Sequence, residues 1–154
     1  MKEIYKKILP DNISNIYKGS KIALYVFIII TAITIVRSFI HMFAFDGGAQ
    51  SIAGFPIDSY ASEAKALVIL IFSLWGSSQL LMGFVYILVI WKYKSLIPLM
   101  YILIFLEYSM RILIGFYKPA ISTHVVPGGI ADYIAVPLAL VMLVLSLRKL
   151  QKTQ

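Results

Sequence analysis

The sequence of 154 residues contains no cysteine. Without a thiol, the protein has no thiol relay, no covalently attached haem and no thiolate metal site. The imidazoles are those of His41 and His124, and their spacing matches no paired-ligand pattern. We therefore predict no metal site and no cofactor, with haem held by these two histidines, or a quinone, as the alternatives.

Charged residues are also scarce, at 14% of the chain, whereas apolar residues make up 60%. A soluble helical bundle would place a polar residue at every third or fourth position, and such polar faces are missing. Four apolar stretches each reach the roughly 20 residues that cross about 30 Å of hydrocarbon. We predict an all-α polytopic membrane protein, an up-and-down four-helix transmembrane bundle with spans at about 22–45, 63–91, 95–117 and 129–147.

Lysine and arginine are distributed unequally between the two sides of the predicted membrane. Ten of them lie in the N-terminal segment, the second connection and the C-terminal tail, whereas the opposite side has only Lys65 and Lys118. Because positive residues mark the cytoplasmic side, we predict a multi-pass protein of the cytoplasmic (inner) membrane with both termini in the cytoplasm. The net charge of +7 then reflects topology and attraction to anionic lipids, and we expect no nucleic-acid partner.

The chain outside the spans divides into three parts of different character. Residues 1–20 mix lysines with apolar residues and lack the pattern of a cleavable signal peptide, so we predict a basic interfacial segment, with a partly ordered basic tail as the alternative. A single membrane domain at 21–149 and a cytoplasmic tail at 150–154 follow. The connection from Asp46 to Ser62 contains three glycines and a proline. It is interpreted either as a lid over a pocket or as a flexible connector.

Each predicted span carries polar groups that a purely apolar helix would not need. Counted from the cytoplasmic end at about 1.5 Å per residue, most lie at roughly 18 to 24 Å, in the outer half of the bundle. Charges are costly in hydrocarbon unless they are paired, so these side chains should point into the bundle. The candidate ligand-binding residues are Arg37, His41, Gln79, Glu107, Arg111 and Asp132.

The spacing of these groups suggests a closed network. Glu107 and Arg111 are four residues apart and can pair within one helix, and Arg37 is then expected to pair with Asp132. Three interpretations follow. The network fixes which helices are neighbours, or it lines a pocket in which arginines hold an anionic group, or it passes protons or ions in an oligomer.

Three short motifs occur in the predicted spans: Ser62-Glu63-Ala64-Lys65-Ala66 opening the second span, Gly76 and Gly83 within it, and Arg111 with Gly115 in the third. In these motifs the sequence resembles small bacterial four-helix membrane proteins of the DoxX-like type, a group that includes proteins of unassigned function. The resemblance covers roughly residues 22–147 and implies an up-and-down bundle in a bacterial cytoplasmic membrane. Some relatives in the wider group are linked to quinone-dependent oxidation, but no residue of this sequence matches that activity.

Together these features predict a membrane protein that binds an amphiphilic or anionic small molecule, lipid-like or quinone-like, in a polar pocket in the outer half of the bundle. No catalytic motif is present, and binding is favoured over catalysis. One alternative is a structural or assembly subunit of a membrane complex; another is a transporter of protons, ions or small solutes that acts as a homo-oligomer. Membrane lipids are the partners expected in every case.

Overall fold

The described part of the chain folds into four long helices preceded by one short helix. A computed structural model describes residues 2–120, 122 and 127–148, and the described part is entirely helical apart from turns and connections. The helices are α1 (Lys2–Ile8), α2 (Lys21–Phe43), α3 (Ser62–Lys92), α4 (Ile97–Tyr117) and α5 (Pro127–Leu147). His124 and the predicted tail 150–154 lie outside the described residues.

The four long helices are each long and apolar enough to cross a membrane. This confirms the prediction of an all-α protein with four candidate spans, and each helix end falls within two residues of its predicted position. Polar side chains inside α2 satisfy their own hydrogen bonds: the hydroxyls of Thr31, Thr34 and Ser38 each donate to the carbonyl four residues earlier, at 2.7–2.9 Å. Such back-bonding lets hydroxyls lie in an apolar helix without an unpaired donor.

Helices α2 and α3 approach each other closely because α3 carries glycine at two contact positions. A Cβ atom at Gly76 would lie 2.7 Å from the Cβ of His41, and one at Gly83 would lie 3.0 Å from Ile35. By contrast, nothing lies within 4 Å of a Cβ built at Gly115. Gly76 and Gly83 therefore serve packing, as their seven-residue spacing on α3 indicates.

The half of the bundle that contains the start of α2 and the end of α5 is densely packed, and we call it the closed half. The amide of Ser20 donates to the carbonyl of Leu145 at 3.1 Å. The Tyr101 hydroxyl donates to the carbonyl of Ala23 at 2.5 Å, and the ring of Phe27 packs edge-on against Tyr86. Its buried apolar core consists of Ala23, Phe27, Tyr86, Val89, Ile97, Met100, Tyr101, Ile104, Ala139 and Met142.

The segment before α2 is held against this closed half. Lys7 donates to the carbonyl of Leu147 at 3.0 Å, and the backbone of Ser14 exchanges hydrogen bonds with Ser95 in the connection between α3 and α4. Burial raises the pKa of the Tyr17 hydroxyl to about 12, which keeps that phenol neutral. The opposite half of the bundle, which contains the end of α2 and the start of α3, is open and holds the polar groups.

Candidate functional site

Arg111 is the centre of the polar cluster in the open half. Its guanidinium forms an ion pair with Glu107 one turn earlier on α4, and it lies 4.0 Å from a carboxylate oxygen of Asp132 on α5. The Arg111 and Asp132 side chains are only 18% and 17% exposed. Arg111 is therefore within ion-pair distance of both carboxylates of the cluster, and it links α4 to α5.

Aromatic rings and an amide complete the surroundings of Arg111. Its guanidinium carbon lies 4.8 Å from the ring centre of Trp75 and 5.0 Å from that of Tyr108, within the range of cation–π attraction. With the buried Gln79 amide oriented to suit its neighbours, its carbonyl oxygen accepts from Trp75 Nε1 at 3.1 Å and from Arg111 at 3.2 Å. Together with Asp132 on α5, these contacts fix the position of the guanidinium from three helices.

Arg37 on α2 has a different environment. Its side chain donates to the Tyr108 hydroxyl at 3.5 Å and its guanidinium carbon lies 5.7 Å from the Trp75 ring centre. Within residues 2–120, 122 and 127–148, no carboxylate lies within ion-pair distance of it. The expected pairing of Arg37 with Asp132 is therefore wrong, because the rotation of the helices presents Asp132 to Arg111, whereas the expected Glu107–Arg111 pair is confirmed.

His41 connects the cluster to the segment that follows α2. Its Nδ1 lies 2.8 Å from the carbonyl oxygen of Gly47, and because a carbonyl only accepts, Nδ1 carries the hydrogen. The imidazole also packs against Trp75, with ring centres 4.7 Å apart, and against Phe72 at 5.7 Å. Gly48 follows with a φ of 76°, and a Cβ there would lie 3.4 Å from His41 Nδ1, so a side chain at this position would be strained.

Residues 44–61 form a folded cap over the open half, and Asp46 organises it. The carboxylate of Asp46, 1% exposed, accepts from the amides of Gly48 at 2.9 Å, Gln50 at 3.0 Å and Ser51 at 2.6 Å. Burial opposes ionisation of Asp46, but the amide hydrogen bonds outweigh it and lower its pKa below the usual value. The folded geometry supports the lid interpretation of this connection over the flexible one.

A second carboxylate ties the cap to α3. Asp58 accepts from Gln50 Nε2 and from Lys65 Nζ, each at 2.5 Å, and its own amide donates back to Gln50 Oε1 at 3.1 Å. The hydrogen bond from Lys65 lowers the pKa of Asp58. Unlike Asp46, Asp58 is solvent-exposed, so its contacts are weak ones.

The cap and helices α2, α3, α4 and α5 line a cavity of about 600 Å³ next to the cluster. Its polar lining consists of Arg37, His41, Trp75, Tyr108, Arg111 and Asp132. The rest of its wall is apolar and includes Ile52, Ala53 and Phe55 of the cap. A volume of this size is typical of small-molecule sites.

A much smaller cavity, of about 20 Å³, lies beside the large one. It is lined by Gln79, Glu107 and Tyr86, and it shares Arg37 and Arg111 with the large cavity. It has the volume and polar lining that a single water needs. Four of the six candidate residues line the large cavity, namely Arg37, His41, Arg111 and Asp132. The other two, Gln79 and Glu107, line only the small cavity.

Trp75 and Tyr108 are the functional candidates that the sequence interpretation missed. Trp75 contacts both arginines and His41, and Tyr108 contacts both arginines. A signal was present, since Trp75 is four residues before Gln79 and Tyr108 is three before Arg111, so each shares a helix face with a candidate.

The residues of the site show what it can hold. Within the described part of the chain, no three of histidine, aspartate and glutamate come together as metal ligands. The available chemistry is hydrogen-bond donation from two arginines next to apolar walls.

Comparison of the chain with protein-family models, curated proteins and solved structures finds no match, so the resemblance to DoxX-like proteins stays a prediction.

Proposed function

We propose that this protein is a multi-pass protein of a bacterial cytoplasmic membrane that binds an amphiphilic molecule in the large cavity. The head group of the ligand carries an anionic or carbonyl oxygen that accepts from Arg37, and its apolar part lies against the aliphatic wall. Lipid-like and quinone-like molecules both have this chemistry. In the proposed topology both termini are cytoplasmic, because ten lysines and arginines belong to the N-terminal segment, the second connection and the C-terminal tail of the sequence, and the cavity then lies in the outer half.

The observation that carries the proposal is the position of Arg37. It lines the large cavity, and within the described residues its side chain makes one hydrogen bond, to Tyr108, and has no carboxylate partner. A guanidinium has five N–H donors, and leaving them unpaired among apolar helices is costly. An acceptor-bearing head group would satisfy these donors.

The two alternative functions fit the geometry less well. A network that only fixed helix register would pair Arg37 with one of the two carboxylates, and among the described residues Arg37 has no such partner, which supports a binding role. A transport path through one chain would need polar groups along its whole length, and the closed half is filled by apolar residues such as Phe27 and Ile104. We therefore rank binding above assembly, and assembly above transport.

Native mass spectrometry of protein gently extracted from its own membrane tests this function. We expect the wild-type protein to retain a defined molecule and Arg37→Gln to lose it while still unfolding at a similar temperature. Arg37 is a better probe than Arg111, because Arg111→Gln would also leave Glu107 and Asp132 without their cation. Breaking such a pair is destabilising in itself.

Arg148→Gln is the matched control, because it removes the same charge from an exposed position at the end of α5. It should retain the molecule as the wild type does. An empty wild-type protein, or the same bound molecule in equal amount in Arg37→Gln, would reject the binding function in favour of a structural subunit.

A further inference from the structure

The large cavity runs lengthwise between α2 and α5. Its lining extends from Ile30 to His41 on α2 and from Gly128 to Leu138 on α5, which is about 15 Å along each helix. The two helices instead meet in the closed half, where Ser20 bonds to Leu145. The open half therefore has a slot between α2 and α5.

Small residues on α5 keep this slot open. Gly128, Gly129, Ala131 and Ala135 all line the cavity, so the α5 wall has little side-chain volume where it faces α2. At the mouth of the slot lie exposed aliphatic side chains: Ile33 on α2 is 53% exposed and Ile134 on α5 is 59% exposed. Both belong to helices that can span a membrane, so the mouth faces the hydrocarbon region.

The cap and helices α3 and α4 form the remaining walls of the cavity. The cap contributes Gly48, Ile52, Ala53 and Phe55 to the wall at the end of the bundle, and Asp46 holds the cap in place through three amides. Trp75 of α3 and Tyr108 of α4 form the back of the cavity. Exposed aliphatic side chains therefore flank the cavity at the α2–α5 slot.

From this geometry we infer that the ligand is a membrane-resident lipid that enters sideways through the α2–α5 slot. Its acyl chain lies between Ile33 and Ile134, and its head group contacts Arg37 inside the cavity. The inference rests on the proposed binding function and narrows it, because a water-soluble anion would have to pass the folded cap. The head group is placed at Arg37 because this arginine has no acidic partner among the described residues. The acyl chain is placed in the slot because the walls of the slot are apolar.

Tryptophan fluorescence can separate the two routes, because the chain has only Trp75 and Trp91. In a Trp91→Phe background, Trp75 in the cavity wall is the sole fluorophore. The protein is reconstituted in phosphatidylcholine with brominated acyl chains, and separately in unbrominated lipid with iodide in the buffer. We expect brominated chains to quench Trp75 strongly and iodide to quench it weakly.

A substitution in the slot supplies the decisive comparison. Ala135→Phe fills the slot from α5 and should remove most of the bromolipid quenching, and Ala131→Leu, one turn away on the same wall, should act in the same direction. Val141→Phe is the matched control, since Val141 is exposed on α5 and lies outside the cavity wall. It should leave the quenching unchanged.

Two outcomes would overturn the inference: bromolipid quenching that neither slot substitution reduces, or iodide quenching Trp75 more effectively than the brominated chains. Either result is distinguishable from failure of the binding function itself. If native mass spectrometry still shows a molecule that Arg37→Gln loses, the site binds a ligand that arrives by another route. If no molecule is retained, the binding function fails as well.

Discussion

Asp46→Asn is the most informative single change in the cap. The substitution keeps the size of the side chain but offers one acceptor oxygen where the carboxylate offers two. In the protein, Oδ1 accepts from the Gly48 amide and Oδ2 from the amides of Gln50 and Ser51. Whichever way the new amide turns, its NH₂ group faces at least one of these N–H donors.

The magnitude follows from the hydrogen bonds that are lost. A hydrogen bond to a charged group contributes about 1.5–3 kcal/mol, and a buried amide left without an acceptor costs about 1–3 kcal/mol. Since Asp46 is almost fully buried, water does not replace the lost acceptor. We expect local opening of the cap to become easier by about 2–3 kcal/mol, which is about 30- to 150-fold in the opening equilibrium.

Hydrogen exchange of the amides of Gly48, Gln50 and Ser51 measures this opening directly. Asp58→Asn is the matched control, because Asp58 lies in the same connection but is exposed, and it should change these rates little. If Asp46→Asn exchanges no faster than Asp58→Asn, then Asp46 does not hold the cap and the argument that the cap covers the cavity fails.

The pH dependence of the wild-type cap provides an independent check. Because the folded pKa of Asp46 lies below its ordinary value of 3.8, the ionised carboxylate stabilises the folded cap fully above that value. This stabilisation is lost as the pH falls through the folded pKa. Acidification below 3.8 should therefore loosen the wild-type cap, whereas the Asp46→Asn cap should respond much less.

Two further predictions concern helix packing, and both are measured by thermal unfolding in detergent. Gly76→Ala should destabilise the protein by about 1–3 kcal/mol, because its Cβ would lie 2.7 Å from that of His41. Gly115→Ala, which has open space around it, should be neutral or stabilising. Equal effects of the two substitutions on the unfolding temperature would contradict the close approach of α2 and α3. Tyr101→Phe should cost about 0.5–1.5 kcal/mol by removing the hydrogen bond to Ala23, and an unchanged unfolding temperature would show that this bond contributes nothing.

Local parts of the site could be predicted from the sequence, and distant contacts could not. The Glu107–Arg111 pair lies within one helix, so the four-residue spacing was sufficient. The partner of Asp132 depends on how α2, α4 and α5 are rotated about their axes. Counting residues gives the depth of a group along a helix and says nothing about that rotation, which is why Arg37 was expected where Arg111 lies.

The sequence of the cap contains a pattern that indicates its turn. An aspartate followed by two glycines can turn the chain back so that its carboxylate accepts from amides a few residues later. Asp46, Gly47 and Gly48 have this pattern, and both glycines have positive φ values of 60° and 76°. The contact of Gly47 with His41, by contrast, required the end of α2 to be placed beside the connection.

The closed half of the bundle maintains the fold, and the open half holds the candidate site. In the closed half, buried apolar side chains and the Tyr101 hydrogen bond to α2 hold the helices together, so the open half need not be filled to keep the fold. In the open half, Arg111 lies within ion-pair distance of both carboxylates of the cluster. Arg37 balances the remaining negative charge, yet among the described residues it forms no ion pair and donates one side-chain hydrogen bond, to Tyr108. A charge maintained at such a cost among apolar helices is best explained by a ligand that meets it there.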